Sequence, residues 1–338
     1  MGAFLKRHRW IVPYGLLAPG FLWLAVFYVY PAAQVFLASF WAGSVERGFT
    51  FSLSNWTNYP DAIGPVLPQI GRSLVYALAA TVLTFLIAYP LAYTIAIRAG
   101  RWRNFLLFLV IAPFFTSFLL RTISWKIILG DHGVIFGPLK DLGLLPSEFR
   151  VLATSMAVVA GITYNFLPFM TLPIYVALEK IDLRLVEAAR DLYAGPWRPG
   201  GGIFGAIVGA VLFGVLAATF GWNIPLVAGL AAVALGVVGW LFVSEAFVRV
   251  TFPLSLPGVF AGTLLTFIPA IGDYVNAEFL GSADTRMLGN VIQNRFLVQT
   301  NYPEASALSF MLMAGILIVV TIYARILGTE NLTSGRTL

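Results

Sequence analysis

The amino-acid sequence predicts an all-α integral membrane protein, a polytopic bundle of about eight transmembrane helices. Hydrophobic residues make up 59% of the 338 residues and charged residues only 11%, whereas soluble domains carry about 25% charged residues. The apolar runs are continuous rather than alternating, which favours helices over a β-barrel, and lipid requires every backbone polar group to be satisfied internally. We therefore treat 1–338 as a single transmembrane domain.

A transmembrane helix needs ~20 mainly apolar residues. The candidate spans lie at 14–40, 73–97, 104–120, 151–178, 203–220, 224–244, 258–280 and 305–324. The first run follows Lys6, Arg7 and Arg9, as the apolar part of a signal peptide would, but it is too long for one and no A-x-A site closes it. We expect it to be a retained helix.

The positive charges predict the orientation of these spans. The segments expected to face the cytoplasm hold 13 of the 21 Lys and Arg residues, and the outer segments, which are generally longer, hold 8. The inner segments are 1–13, 98–103, 179–202, 245–257 and 325–338. This bias follows the positive-inside rule and predicts a multi-pass protein of the cell membrane with both termini in the cytoplasm. Because the charges form short clusters between apolar runs, they do not indicate a nucleic-acid partner.

One inner segment has the pattern of a short amphipathic helix. Asp182 is a suitable N-cap. Apolar residues recur after it at spacings of three and four, opposite a charged face: Ile181, Leu185, Ala188, Ala189 and Leu192 against Asp182, Glu187, Arg190 and Asp191. Such a helix either docks into a groove of a soluble partner or lies on the membrane surface. The periodicity alone leaves both open.

The same segment begins a motif that the sequence holds in two pieces. VEAARDLYAGPWR occupies 186–198 and AFVRVTFPLSLPGV occupies 246–259. Joined directly, they resemble the cytoplasmic coupling loop, or EAA loop, of type I binding-protein-dependent ABC importer permeases. In that family the loop sits in a cleft of the ATPase subunit and transmits its closure to the membrane helices.

This resemblance assigns roles to individual residues of the coupling loop, here 179–198 plus 246–257. It implies that the ATPase is contacted by Glu187, Ala188, Ala189 and Asp191. It also implies that Pro257 and Gly258 start the next membrane helix, in agreement with the tolerance of proline in a first helical turn.

Two features depart from the family pattern. The family usually has glycine four residues after the second alanine, where this chain has Tyr193, and glycine there would favour the end of a helix. The second feature is the insertion 199–245, which we expect to be a transmembrane hairpin turned at 220–223. It is either a tolerated peripheral insertion or a regulatory or lipid-facing addition.

Three further segments narrow the resemblance to the B-type subunit of spermidine/putrescine permeases. They are PFFTSFLLRTISWKIILGDHG at 113–133, IGDYVNAEFLGS at 271–282 and MLGNVIQNRFL at 287–297. The resemblance implies a polyamine substrate and four partner chains: a second permease subunit, two copies of an ATPase and an extracytoplasmic binding protein. Permeases for iron(III), thiamine or phosphonates share the general layout and remain alternatives.

A polyamine pathway needs carboxylates to replace water around ammonium groups and aromatic faces for cation–π contact. Asp273 lies fifteen residues into the span that begins at 258, ~22 Å along a helix, and an ionisable residue at that depth is a functional candidate. Tyr274 adjoins it and Glu278 follows. The alternative role for Asp273 is that of a structural partner for a basic residue such as Arg121.

Arg121 and Trp125 lie where the third span is expected to reach the outer face. They either belong to an interfacial belt with snorkelling bases or form an outer gate.

The sequence contains no G-x-x-x-x-G-K-[ST] motif, so we expect this chain not to be an enzyme and to bind no cofactor, with ATP and Mg²⁺ held by the partner ATPase. It has no cysteine, and its two histidines, His8 and His132, are far apart, so no metal site is expected. A channel or secondary transporter is the rival class. It would predict more buried ionisable residues and internal symmetry.

Overall fold

The structure is a computed structural model that describes residues 11–143, 146, 148–192 and 246–327. The chain divides into two compact units. The first comprises Met1–Leu67 and Val291–Ile318, and the second comprises Pro68–Asn290 and Val319–Leu338. The spans predicted at 203–220 and 224–244, together with Tyr193, lie outside the described residues.

The first unit opens with apolar helices and a small β-hairpin. Its elements are α1 (Ile11–Leu24), a π-helical turn (Ala25–Val29), α2 (Tyr30–Ala38), β1 (Trp41–Ser44), β2 (Gly48–Phe51), 3-10 turns (Leu53–Thr57 and Gly64–Val66) and α3 (Asn58–Ile63). The strands are antiparallel, with Trp41 opposite Phe51. Gly43 has φ of 125°, and a β-carbon there would lie 2.1 Å from the Gly48 carbonyl oxygen, so the hairpin requires glycine at this point.

The second unit holds most of the helices. They are α4 (Leu67–Tyr93), α5 (Arg103–Ile111), α6 (Phe118–Ile128), α7 (Phe136–Asp141), α8 (Ser155–Glu179), α9 (Leu183–Leu192), α10 (Phe252–Ile271) and α11 (Val275–Leu280). Short π-helical segments (Thr94–Arg98 and Phe247–Thr251) and 3-10 turns (Gly100–Trp102, Ala112–Phe115 and Ala283–Thr285) connect them. Two further helices contribute residues to both units, α12 (Leu288–Leu297) and α13 (Tyr302–Leu327).

Within the described residues, five helices are long and apolar enough to cross a membrane, or six if one bent pair forms a single span. The five are Tyr14–Ala38, Leu53–Arg98, Ser155–Glu179, Phe247–Ile271 and Tyr302–Arg325. The helical membrane architecture predicted from composition is confirmed. The number eight stays a prediction, because two of those spans lie outside the described residues.

The predicted span 104–120 is wrong in one respect, because it is not one straight helix. Gly100–Phe115 and Phe118–Ile128 meet at an angle of 97°. Thr116 and Ser117 between them have extended ψ values of 149° and 138°. These two extended residues end the 3-10 turn Ala112–Phe115, so α6 leaves in a new direction.

The predicted span 258–280 is displaced at both ends. Helix α10 begins at Phe252, with Pro253 in its first turn, and it ends at Ile271. The expectation that Pro257 and Gly258 start this helix is therefore wrong, because both lie inside it. Pro253 lies where the π-helical segment Phe247–Thr251 runs into α10, and Thr251 between them has helical dihedral angles.

Helices α8 and α10 form the most extensive helix–helix contact in the described chain. Gly258 and Gly262 face α8. A β-carbon at Gly258 would lie 2.5 Å from the Ala177 β-carbon, and one at Gly262 would lie 2.8 Å from the Met170 sulfur. Small residues four apart allow two helix backbones to approach closely in lipid, and here they seat α10 on α8.

A buried cluster extends this contact to α4. Its buried members are Ala88, Tyr89, Ala92, Ile95, Met170, Ile174, Tyr175 and Leu178. Phe247, in the π-helical segment before α10, and Phe252, the first residue of α10, pack against it. The Tyr89 and Phe247 rings meet edge to face at 5.6 Å. The cluster therefore joins α4, α8 and the segment that leads into α10.

We expect Gly262→Ala to destabilise the protein by about 1–3 kcal/mol, since the new methyl group overpacks the contact with Met170. The matched control is Gly315→Ala on α13, where a β-carbon would meet nothing within 4 Å and alanine favours the helix. Thermal unfolding of the purified chain in detergent measures both variants. Equal midpoints for the two would contradict the packing role of Gly262.

Candidate functional site

The short helix α9 begins at a capped residue, as the sequence predicts. The Asp182 carboxylate accepts a hydrogen bond from the backbone N–H of Arg184 at 3.0 Å. The Asp182 carbonyl accepts one from the N–H of Leu185, also at 3.0 Å. The cap satisfies donors that the first turn of a helix leaves free, so the start of α9 is fixed relative to the end of α8.

One side of α9 packs inside the protein. Val186 and Ala189 are 5% and 3% exposed, and α9 contacts the π-helical segment Phe247–Thr251. The two pieces of the split motif therefore meet in space. The expected contact of Ala189 with an ATPase does not agree with this burial. Val186 was missed, although its spacing of three from Ala189 could have revealed it.

The other side of α9 is exposed and carries both apolar and acidic groups. Leu185, Ala188 and Leu192 are exposed at positions i, i+3 and i+7, with Leu192 74% exposed. Glu187 and Asp191 are exposed beside them. The predicted single apolar face is wrong, since α9 has one small buried face and one larger face that the described residues leave uncovered.

Asp273 lies between α10 and α11 and is 7% exposed. Its carboxylate accepts hydrogen bonds from the backbone N–H of Asn276 (3.0 Å) and from the Asn276 side chain. The predicted alternative, a pair with Arg121, is wrong, because the ion pairs of the described residues do not include Asp273. The break at Gly272 brings the carboxylate to the start of α11 instead.

Asp273 belongs to a buried polar chain that crosses three elements. The Asn276 side-chain oxygen accepts from the Asn165 amide of α8 at 3.1 Å, and the same amide donates to the Thr122 hydroxyl of α6 at 3.4 Å. Asn165, Asn276 and Thr122 are at most 1% exposed. Sequence reasoning missed all three, although a lone asparagine within the apolar run 151–178 was a usable signal.

Tyr274 and Glu278 differ from Asp273 in being exposed. Asn290 holds both, donating to a Glu278 carboxylate oxygen at 2.9 Å and to the Tyr274 carbonyl at 3.0 Å. Of the three candidate pathway residues, Tyr274 and Glu278 are exposed, whereas Asp273 is buried.

Arg121 and Trp125 lie in α6, just after the bend. The Arg121 guanidinium lies over the rings of Phe114 and Phe118, at 5.8 and 5.7 Å from their centroids. Its Nε and Nη1 atoms are buried without a hydrogen-bond partner among the described residues. The Trp125 ring meets the Tyr164 ring at 5.3 Å. Both side chains thus pack against the protein's own aromatic residues.

Comparisons with known proteins agree with this architecture. Residues 244–329 match the family described as "Binding-protein-dependent transport system inner membrane component". In solved structures, the chain is similar to a bacterial ABC transporter involved in the import of alginate, with a TM-score of 0.64 at 15% identity over 96% of both chains. It is also similar to a bacterial alginate ABC transporter in complex with a periplasmic protein, with a TM-score of 0.61 at 14% identity. These similarities support the fold alone.

Two sequence relatives are more specific. The spermidine/putrescine transport system permease protein PotB of Haemophilus influenzae is 34% identical over 90% of this chain and 90% of its own length. PotB of Escherichia coli is 29% identical over 90% of this chain and 93% of its own. The chain therefore belongs to the inner-membrane permease components of binding-protein-dependent ABC transporters, in the group of the PotB-type permeases.

Proposed function

We propose that this chain is a membrane-spanning subunit of an ABC importer and carries a polyamine such as spermidine or putrescine. The observation that carries the transport role is the two-sided helix α9. Its buried face is seated on the chain's own segment 247–251, and its exposed face presents Leu185, Ala188 and Leu192 with Glu187 and Asp191. The PotB-type relatives support a polyamine rather than iron(III), thiamine or phosphonate.

The exposed face of α9 suits a groove on a soluble partner. An amphipathic helix in a groove uses anchors at i, i+3 and i+7, the spacing that Leu185, Ala188 and Leu192 provide. A helix resting on lipid would be expected to carry mainly basic residues beside its apolar stripe. The exposed charges of α9 are of both signs, Glu187 and Asp191 with Arg184, so we take the ATPase as the occupant.

The importer assembles from several chains. A permease of this family works with an ATPase, a partner permease and an extracytoplasmic binding protein. In our proposal the ATPase is present in two copies and binds ATP and Mg²⁺, while this chain does no chemistry and has both termini in the cytoplasm. A channel or secondary transporter would not need the uncovered face of α9.

The substrate path in this proposal runs past the segment after α10. Tyr274 and Glu278 are exposed there and offer an aromatic face and a carboxylate to an ammonium group. Asp273 lies behind them and adds negative charge at the start of α11. Arg121 and Trp125, at the bend between α5 and α6, form the outer gate, and their packing against aromatic rings gives that gate a defined resting position.

One prediction concerns ATPase docking. Glu187→Lys is expected to reduce the amount of ATPase that co-purifies with the permease about tenfold or more, because it reverses a charge on the exposed side of α9. Glu148→Lys is the matched control, since Glu148 is exposed but lies in the predicted outer segment 121–150. A complex that survives Glu187→Lys unchanged would count against ATPase docking through α9.

Another prediction concerns the substrate path. Asp273→Asn removes the charge and keeps an oxygen that accepts from the Asn276 N–H, but it replaces the acceptor of the Asn276 side-chain amide by a donor. We expect polyamine uptake to fall about tenfold beyond any loss of assembly. Radiolabelled uptake into proteoliposomes measures the first quantity and co-purification the second. Asp284→Asn, at an exposed position of the same segment, serves as the control. Normal uptake by Asp273→Asn would remove Asp273 from the path.

A further inference from the structure

An ion pair ties the end of α8 to the start of α5. The Arg103 guanidinium, on the first residue of α5, pairs with the carboxylate of Glu179, the last residue of α8. Arg103 Nε also donates to the hydroxyl of Tyr175 at 2.6 Å, and the guanidinium lies 5.2 Å from the centroid of the Tyr175 ring. One side chain therefore holds two groups that are one helical turn apart on α8.

Each charge of this pair lies at the helix end that disfavours it. A helix N-terminus carries partial positive charge and repels Arg103, and a helix C-terminus carries partial negative charge and repels Glu179. The dipole of its own helix therefore favours neither charge at its position. Together they offset both repulsions, so the arrangement depends on α5 and α8 staying in contact.

The pair contributes little to the stability of the fold. The Arg103 and Glu179 side chains are 34% and 42% exposed, and water screens pairs of that kind. Tyr175, in contrast, is 6% exposed and belongs to the buried cluster. The ion pair is thus a weak, partly exposed contact next to the buried Tyr175. Such a contact suits a role in movement better than a role in stabilising the fold.

Its position connects the docking helix to the bent span. Glu179 is three residues before Asp182, the cap of α9, and the intervening turn is tight because the Ile181 N–H donates to the Leu178 carbonyl at 3.2 Å. On the other side, α5 leads through the 97° bend into α6. A displacement of α9 therefore reaches Glu179 through this turn and can pass through Arg103 to α5.

We propose that Arg103, Glu179 and Tyr175 form a coupling latch that passes the movement of α9 to the bent span α5–α6. The latch rests on the proposed function, and Arg103 and Glu179 are positioning residues within it. Without the ion pair, α9 can follow the ATPase while α5 does not move with it. ATP is then hydrolysed without a matching movement of substrate.

The test uses the complete transporter, with its ATPase, partner permease and binding protein, reconstituted in proteoliposomes. The quantity measured is ATP hydrolysed per polyamine molecule taken up. We expect Arg103→Glu and Glu179→Arg each to raise this ratio about tenfold with normal co-purification of the ATPase, and the double swap to return it to within about threefold of the unaltered protein. Arg101→Glu is the matched control, at an exposed neighbouring position, and should leave the ratio unchanged.

A milder pair of variants covers the case in which charge reversal prevents assembly. Glu179→Gln keeps the size and hydrogen-bonding capacity of the side chain and is expected to raise the ratio less than Glu179→Arg does, while Arg103→Lys keeps the charge and should stay near normal. An unchanged ratio in Glu179→Gln, or a double swap that restores nothing, would overturn the latch. If the unaltered transporter itself moves no polyamine, the proposed function fails, whereas normal coupling in every variant removes the latch alone.

Discussion

The close contact between α8 and α10 determines where the other parts of the second unit lie. In lipid, apolar side chains gain nothing by leaving the surrounding hydrocarbon for each other, so helices associate through close packing and polar contacts. Gly258 and Gly262 supply the close packing, because a β-carbon at either position would collide with α8. The segment 247–251 leads directly into α10, and α9 follows α8, so this one contact also places both pieces of the split motif.

The polar chain from Asp273 to Thr122 links α6, α8 and the start of α11 by hydrogen bonds. Asn165 of α8 reaches Asn276 and Thr122 through one side-chain amide, and in an apolar surrounding each of these groups costs free energy if it loses its partner. The network therefore favours the one arrangement of α6, α8 and the start of α11 in which these hydrogen bonds are made.

Sequence patterns predicted the features that depend on local composition. The apolar runs gave the spans 14–40, 151–178 and 305–324 closely, and Asp182 was identified as a cap. The errors occurred where a local break in the backbone or a tertiary contact decides. Helix α10 ends at the break at Gly272, and the span 104–120 is interrupted at Thr116 and Ser117; both breaks lie inside apolar runs that composition alone predicts to be continuous. Asp273 bonds to Asn276 within 271–282, but the partners of Asn276 are Thr122 of α6 and Asn165 of α8, and no spacing within 271–282 indicates those two.

Helix α9 has ten residues and spans about 15 Å, a length at which an isolated helix is marginal in water. It is stable here because Asp182 caps it and because Val186 and Ala189 are buried against the chain. A partner that docks on its exposed face therefore pushes on a helix whose structure depends on segment 247–251 and on the end of α8. Any displacement large enough to matter must move those two elements as well. The separation of the motif by 199–245 in sequence does not weaken this coupling, because α9 and 247–251 touch directly.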